Sequence, residues 1–524
     1  MNGRRLRSWA LCALVGLASA APGSTRAQGD VAARAERLIA GLDLDEARRV
    51  LGPAEAYDPR VALERARLGV YEMDCDGAAA ILGRGDVRAL PGGESLADIA
   101  HGCQRVTAAL QADHDEARNI EVRWQDEDDR ALAPMLFDTV AKARESLTTD
   151  LGVDWPKPTR VVVVRDLLSL SAMTGLPYES ARTTGTVAVA KWGRVTLLSP
   201  RASPHGYPWR DTVAHELTHL AVTRGSGDLA PLWLQEGIAK REEIRWRERG
   251  LFDDRPAPDA VVQAGEARGK RFPLDKLGPS IAMLPSADDA MIAFAEVTSF
   301  VRFYADTEDA RPGEGGQALP KLLHALSVPG TSADAALVAV SGSDLKTWDE
   351  RWRAHLAAEP PAALPPYFLE DPKHDRRELD RLREIRDRSR LAELLMARGH
   401  ATEAAQELEH IPAGEGATDP SMRWLRGRVL EATGHRDDGA ALVADPLQVA
   451  SSYGPWWALR GRWARAAGDE GTAVVSFEAA VAADPMDPES ACETIQADEV
   501  PADGNRARLC AAARARGEPA FGDD

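Results

Sequence analysis

The spacing of apolar residues changes character along this chain, and each change separates one kind of element from the next. From about residue 31 to 116 the apolar positions are Ala- and Leu-rich at helical intervals. Examples are "LDLDEARRVL" (Leu42 to Leu51) and "DCDGAAAIL" (Asp74 to Leu82), with Pro59 and Pro91 between helices. "NIEVRW" (Asn119 to Trp124) then alternates at strand period, residues 128 to 150 return to a helical pattern, and "TRVVVV" (Thr159 to Val164) is the unbroken apolar run of a buried strand. "GTVAVAKWGRVTLLSP" (Gly185 to Pro200) predicts a hairpin turning at Trp192-Gly193, and "TVAHELTHLAV" predicts the helix that follows it. The Pro-rich stretch "AAEPPAALPPYFLEDP" (Ala357 to Pro372) is a linker. Beyond it, "LLMARGHATEAAQEL", "VLEATGHRDDGAALV" and "RWARAAGDEGTAVVSF" place Gly399, Gly434 and Gly468 at intervals of 35 and 34 residues. Each glycine precedes a second helix, starting near Ala404, Gly439 and Ala473.

Composition narrows the class. Among 524 residues, 44% are hydrophobic and 28% charged, the balance of a globular protein rather than of a disordered or multi-span membrane chain. The net charge of -18 excludes nucleic acid as a partner, because phosphate binding needs a clustered excess of cations. The first 27 residues have a basic start at Arg4, Arg5 and Arg7, an uncharged apolar run from Trp9 to Ala20, and small residues at Ala18, Ala20 and Ala27. They read as a signal peptide cut after Ala20 or Ala27, since the run is shorter than the roughly 20 residues that span a bilayer. The mature chain is then extracytoplasmic, periplasmic or secreted, with no stable membrane span. Four cysteines remain after cleavage, and their sequence-local pairs predict the disulfides Cys75 to Cys103 and Cys492 to Cys510. The expected organisation is a signal peptide (1–27), a helical repeat-like domain (28–117), a mixed-sheet domain (118–357), a Pro-rich linker and helix (358–388) and helical repeats (389–520).

The strongest chemical signal lies in the "HELTH" helix. His215 and His219, four residues apart, share one helix face and can reach one metal ion, while Glu216 lies about 100° round the helix, where it can reach a water on that ion. Glu236 follows 17 residues after His219 in "PLWLQEGIAK" (Pro231 to Lys240), a second helix with Pro231 near its first turn. Two His and one Glu, with a fourth position open to water, are the ligand set of a hydrolytic zinc, so one Zn2+ per chain is expected. Such an ion acidifies water and polarises a carbonyl, and Glu216 is placed to take the proton.

Taken together, "HELTHL" and "PLWLQEGIAK" resemble the gluzincin metallopeptidases, specifically the peptidase MA-like domains of exported bacterial proteins. The resemblance runs from about Ile120 through Trp352 and includes "VVVVRDLLSLSAMTGLP", "VTLLSPRA", "SFVRFYAD" and "SGSDLKTWDERWRAHL". It implies an α+β zincin-like domain, a mixed sheet plus an active-site helix, acting on a peptide or protein substrate. The zinc ligands would be His215, His219 and Glu236, with Glu216 as general base and proton shuttle. The glycine-spaced pairs resemble tetratricopeptide-like helical hairpins, so all-α regions are expected on both sides of that domain, offering a groove to a protein partner.

Two positions depart from the pattern. Lys240 stands where some gluzincins carry an Asp that orients a ligand histidine, and Phe294 stands where relatives often carry Tyr. Tyr207, His205, Arg241 and Tyr304 are the candidates for an oxyanion donor, and the Thr186 to Ser199 hairpin for an edge that pairs with substrate. Trp209 and Trp233 read as core or cleft wall. Two further readings stay open: a catalytically inactive adaptor protein of the cell envelope, and a metal-dependent hydrolase acting on something other than a peptide.

Overall fold

The computed structural model describes residues 22–484 except 55–56, 203–206, 249–252, 254–255, 279, 282–283, 312–315, 361–363, 365–375, 415, 417–418 and 444–452, together with 492, 507 and 510. The signal-peptide reading at residues 1–21 therefore lies outside the described residues, and residues 22–27 open the first helix.

The described residues start with six helices: α1 (Pro22–Ala40), α2 (Leu44–Leu51), α3 (Pro59–Glu72), α4 (Cys75–Leu82), α5 (Gly85–Arg88) and α6 (Gly93–Thr107). Aspartates set where three of them begin. Asp43, Asp58 and Asp74 each accept a hydrogen bond from a first-turn backbone N–H, and Pro59 occupies a first-turn position where no donor is lost. Their apolar stripes close on one another through Ala47, Leu51, Ala66, Val70, Ala78 and Leu82. The disulfide between Cys75 and Cys103 ties α4 to α6, and Cys492 is bonded to Cys510, as their spacing predicts.

A five-stranded mixed sheet follows, built from β1 (Gln111–Asp115), β2 (Ile120–Trp124), β3 (Thr159–Val164), β4 (Ala188–Lys191) and β5 (Arg194–Leu198) in the order β1-β2-β3-β5-β4. The inner strands β2, β3 and β5 are parallel, and both edge strands run antiparallel to their neighbours. The central position of β3 explains its unbroken apolar run. Val161 and Val163 enter the main core with α7 (Ala133–Leu151), while Val162 and Val164 face the opposite layer with the Cys75–Cys103 pair and α8 (Leu167–Thr174). The β4–β5 hairpin turns where expected, with both Trp192 and Gly193 at positive φ, as a two-residue turn that matches strand twist requires.

The strand β1 differs from expectation. Its sequence, "QADHD", lies within the segment read as helical, yet it pairs with β2 in register Gln111 to Trp124. An edge strand exposed on both faces has no reason to alternate apolar and polar residues, so its pattern was silent. The N-terminal helices are also bound into the sheet layer. Leu42 belongs to the main core, and the guanidinium of fully buried Arg194 on β5 donates to the carbonyl of Val70 at the end of α3 (2.7 Å). Burial, helped by the neighbouring Arg160 cation, pushes the Arg194 pKa down to about 9.

The short α9 (Tyr178–Thr184) precedes β4, and after β5 the described residues form helices: α10 (Trp209–Ser226), α11 (Leu232–Glu242), α12 (Pro258–Ala267), α13 (Ala287–Asp309), α14 (Ala318–Leu326), α15 (Ala333–Ser341) and α16 (Leu345–Ala358). Beyond the linker, α17 (Arg376–Met396) pairs with α18 (Ala401–Glu409), α19 (Pro420–Ala432) with α20 (Arg436–Val443), and α21 (Gly454–Ala466) with α22 (Glu470–Ala483). Gly399, Gly434 and Gly468 sit at the turns of these pairs with φ of 79°, 85° and 81°, left-handed geometry that glycine adopts without a Cβ penalty. The architecture is thus mostly helical with one small mixed sheet, an α+β arrangement with helical regions before and after it. Among the described residues, no helix is long and apolar enough to cross a membrane.

Candidate metal centre

Helix α10 is anchored along its length by Trp209, Val213, Leu217, Leu220 and Ala221 in the main core, leaving His215 and His219 together on the face toward the cleft. Helix α11 brings the third residue. Trp233, Leu234 and Ile238 fix its buried face, and Gly237 lets it lie close to α13. A Cβ at Gly237 would stand 2.6 Å from the Val297 carbonyl oxygen. That contact holds Glu236 over the two histidines.

The donor atoms converge. His215 Nε2 and His219 Nε2 are 3.2 Å apart, and Glu236 Oε2 lies 3.7 Å and 3.8 Å from them. Ligands at about 2.05 Å from a tetrahedral ion are separated by about 3.3 Å, so the three atoms need shift by only about 0.5 Å to share one ion. Within the described residues this is the one group of three or more His, Cys, Asp or Glu able to hold a metal.

A residue that the motif did not point to completes the surroundings. Glu243 Oε2 lies 3.0 Å from His215 Nδ1, so the imidazole can donate there while its Nε2 faces the other ligands. The same oxygen receives the Lys240 ammonium at 2.6 Å. The carboxylate beside His215 is thus supplied from three residues beyond Lys240. Glu243 is seven residues past Glu236, two helical turns along one face, and that interval is the signal by which it could have been found.

Electrostatics follow from this packing. Burial alone would lower the His215 pKa, but the hydrogen bonds to Glu236 and Glu243 outweigh it and raise the value to about 9. Burial would raise Glu243, yet Lys240 and His215 bring it down to about 2, and Glu236 is lowered against burial by His219 and His215. A metal ion would displace the proton that those carboxylates hold on His215.

Glu216 is buried beside this group and accepts a hydrogen bond from the Ala190 backbone N–H of β4 at 2.5 Å. The open edge of β4 thus lies directly over α10. A cleft of about 1220 Å³ runs between β4 on one side and Leu284, Met291 and Phe294 on the other, bounded also by Leu42, Tyr71 and Trp192.

The three described candidates for an oxyanion donor do not gather here. Tyr207 donates its hydroxyl to the Leu198 carbonyl, Arg241 is held by Glu242, and Tyr304 is sunk in the core against Trp348. His205 lies outside the described residues. Trp209 and Trp233 are core residues. Compared with known proteins, the chain matches no family model, no curated protein and no solved structure.

Proposed function

We propose that this chain is an exported zinc-dependent peptidase in which His215, His219 and Glu236 hold one Zn2+ and Glu216 moves the proton. The observation that carries the reading is the convergence of three donors of hydrolytic-zinc type beside a carboxylate fixed by the backbone of a free sheet edge. Bound there, zinc would supply Lewis acidity to a substrate carbonyl and to water. The chain's own groups do the rest. Glu216 keeps one oxygen on Ala190 N–H and has the other to accept the proton as the water oxygen bonds to the carbonyl carbon. The C–N bond then breaks as Glu216 passes that proton to the departing amine nitrogen. Glu243 holds His215 in the tautomer that leaves Nε2 free as a ligand.

A peptide is favoured as substrate because, among the described residues, no strand lies beside the outer edge of β4, and an extended chain can pair there above α10. The order of mixed sheet, histidine helix and glutamate helix supports a zincin-like identity for this region. The three hairpins after the linker support a tetratricopeptide-like role in holding a protein partner. Export is supported by the basic and apolar start of the chain together with two disulfides. The test is Glu216→Gln in the full mature chain, assayed on a fluorogenic peptide pool. It should retain one zinc per chain and lose cleavage by at least about a hundredfold. Cleavage equal to wild type refutes the role of Glu216.

A further inference from the structure

One cation stands beside the three donor atoms with no role yet assigned. Lys240 is one helical turn past Glu236 and so projects from the same face of α11 into the cleft. It is near enough to act electrostatically on both Glu236 and His215. Its Nζ is fixed from two sides, by Glu243 Oε2 at 2.6 Å and by the ring of Phe294, whose centroid is 5.9 Å away. An ammonium has three N–H donors: the Glu243 oxygen takes one, and the Phe294 ring lies on a second side of the cation.

Three other polar side chains near the donor atoms are committed elsewhere. Thr212 donates to the Pro208 carbonyl, Gln235 to the Ala230 carbonyl and Tyr207 to the Leu198 carbonyl. Lys191, the other lysine of the cleft, lies over the Trp192 ring at the hairpin turn. Carbonyl hydrolysis develops negative charge on the carbonyl oxygen, and a donor fixed in advance beside that oxygen lowers the barrier more than one that must be recruited. We infer that Lys240 is that donor: its third N–H meets the oxygen anion formed when a carbonyl bound in the cleft is attacked. The two positions at which the chain departs from the resembled pattern then form one device. Phe294 and Glu243 hold a lysine in place, and the lysine supplies a donor that neither Phe294 nor the committed Tyr207 can supply.

This inference rests on the peptidase reading, and its test separates the two. The probe is a phosphinate dipeptide analogue, whose tetrahedral anionic oxygens imitate the attacked carbonyl. Its binding to the zinc-loaded full chain is measured by calorimetry for wild type, Lys240→Met and Lys240→Arg, with zinc affinity measured alongside. Lys240→Met should weaken the phosphinate by about 10² to 10³-fold, the loss typical of one oxyanion donor, with zinc affinity within about threefold of wild type. Lys240→Arg should recover most of that loss. Phosphinate affinity within about threefold of wild type in Lys240→Met overturns the inference while leaving the peptidase standing. So does a zinc affinity that falls by the same factor as the phosphinate, because Lys240 would then only be supporting Glu243. A wild-type chain that takes up zinc but neither cleaves peptides nor binds the phosphinate overturns the peptidase reading itself, and the inference with it.

Discussion

Glu243 is the most informative residue to perturb, because it touches a ligand without being one. Its Oε2 lies 3.0 Å from His215 Nδ1, a charge-assisted hydrogen bond in a site shielded from water. Partners of this kind fix the ring and its tautomer, and their loss costs about 10 to 100-fold in metal affinity, or about 1.4 to 2.7 kcal/mol. The structure places two substitutions at opposite ends of that range. Glu243→Gln keeps an acceptor oxygen near Nδ1 but loses the charge, so about a tenfold loss is expected. Glu243→Ala also removes the counter-charge of Lys240, whose Nζ sits 2.6 Å from the same oxygen, and leaves that cation facing His215. About a hundredfold loss is expected there. The measurement is competition for zinc between the full chain and a chromophoric chelator at pH 7.5. The control is Glu242→Gln, since Glu242 turns away toward Arg241 and Arg245. Equal affinity for wild type and Glu243→Ala would refute the orienting role. A loss in Glu242→Gln as large as that in Glu243→Ala would show that general disturbance of the α11 end, and not the Nδ1 bond, is responsible.

Three further expectations follow from the packing. Gly237→Ala would press a methyl group against the Val297 carbonyl and the Val301 side chain, so it should destabilise by about 1 to 3 kcal/mol, lower Tm, and weaken zinc binding because Glu236 is the preceding residue; unchanged Tm and zinc affinity would count against the close approach. Glu296 is fully buried, and burial, only partly offset by Arg353, raises its pKa to about 7 from an unfolded value near 4.5. The folded state therefore holds this proton more tightly, and the stabilisation is complete below about pH 4.5 and lost as pH rises to about 7, on the order of 3 kcal/mol. Glu296→Gln should shrink the fall in Tm between pH 5 and pH 8, and an unaltered fall would exclude Glu296 as its source. Finally, a fragment beginning at residue 118 lacks β1, the Leu42 side chain and the Val70 acceptor of Arg194, so near-UV circular dichroism should show it without fixed packing, whereas one that retains residues 22–117 should be native-like; a cooperative thermal transition in the shorter fragment would contradict this.

The parts of the fold that were legible in the sequence are those decided within a few residues. The two His at helical spacing share a face because of helix geometry alone, and a Trp-Gly turn can join β4 to β5 because the turn needs only two left-handed residues. Gly399, Gly434 and Gly468 are local in the same sense. What was not legible depends on partners distant in the chain. "QADHD" becomes a strand only because β2 offers it an edge, and Arg194 looks like any solvated strand arginine until Val70, 124 residues earlier, receives its guanidinium. Such contacts also cross the expected domain boundary: the first helices are read as a separate unit from their own periodicity, and Leu42 and Tyr71 line the cleft that contains His215.

Lys240 and Glu243 show the same distinction inside the site, and they bear on how a motif should be read. Judged position by position, a lysine at 240 counts against catalysis, because an orienting carboxylate is missing there. Judged by geometry, the carboxylate that reaches His215 comes from Glu243, about one helical turn beyond Lys240, and it also holds the Lys240 ammonium. A charge reversal on a buried face is costly unless a partner accompanies it, since an unpaired lysine beside the ligand histidines would oppose metal binding through like-charge repulsion. Lys240 and Glu243 are therefore a single unit. A variant that removes Glu243 alone should harm zinc binding more than one that removes both, because in the double variant no cation is left facing His215 without its counter-charge.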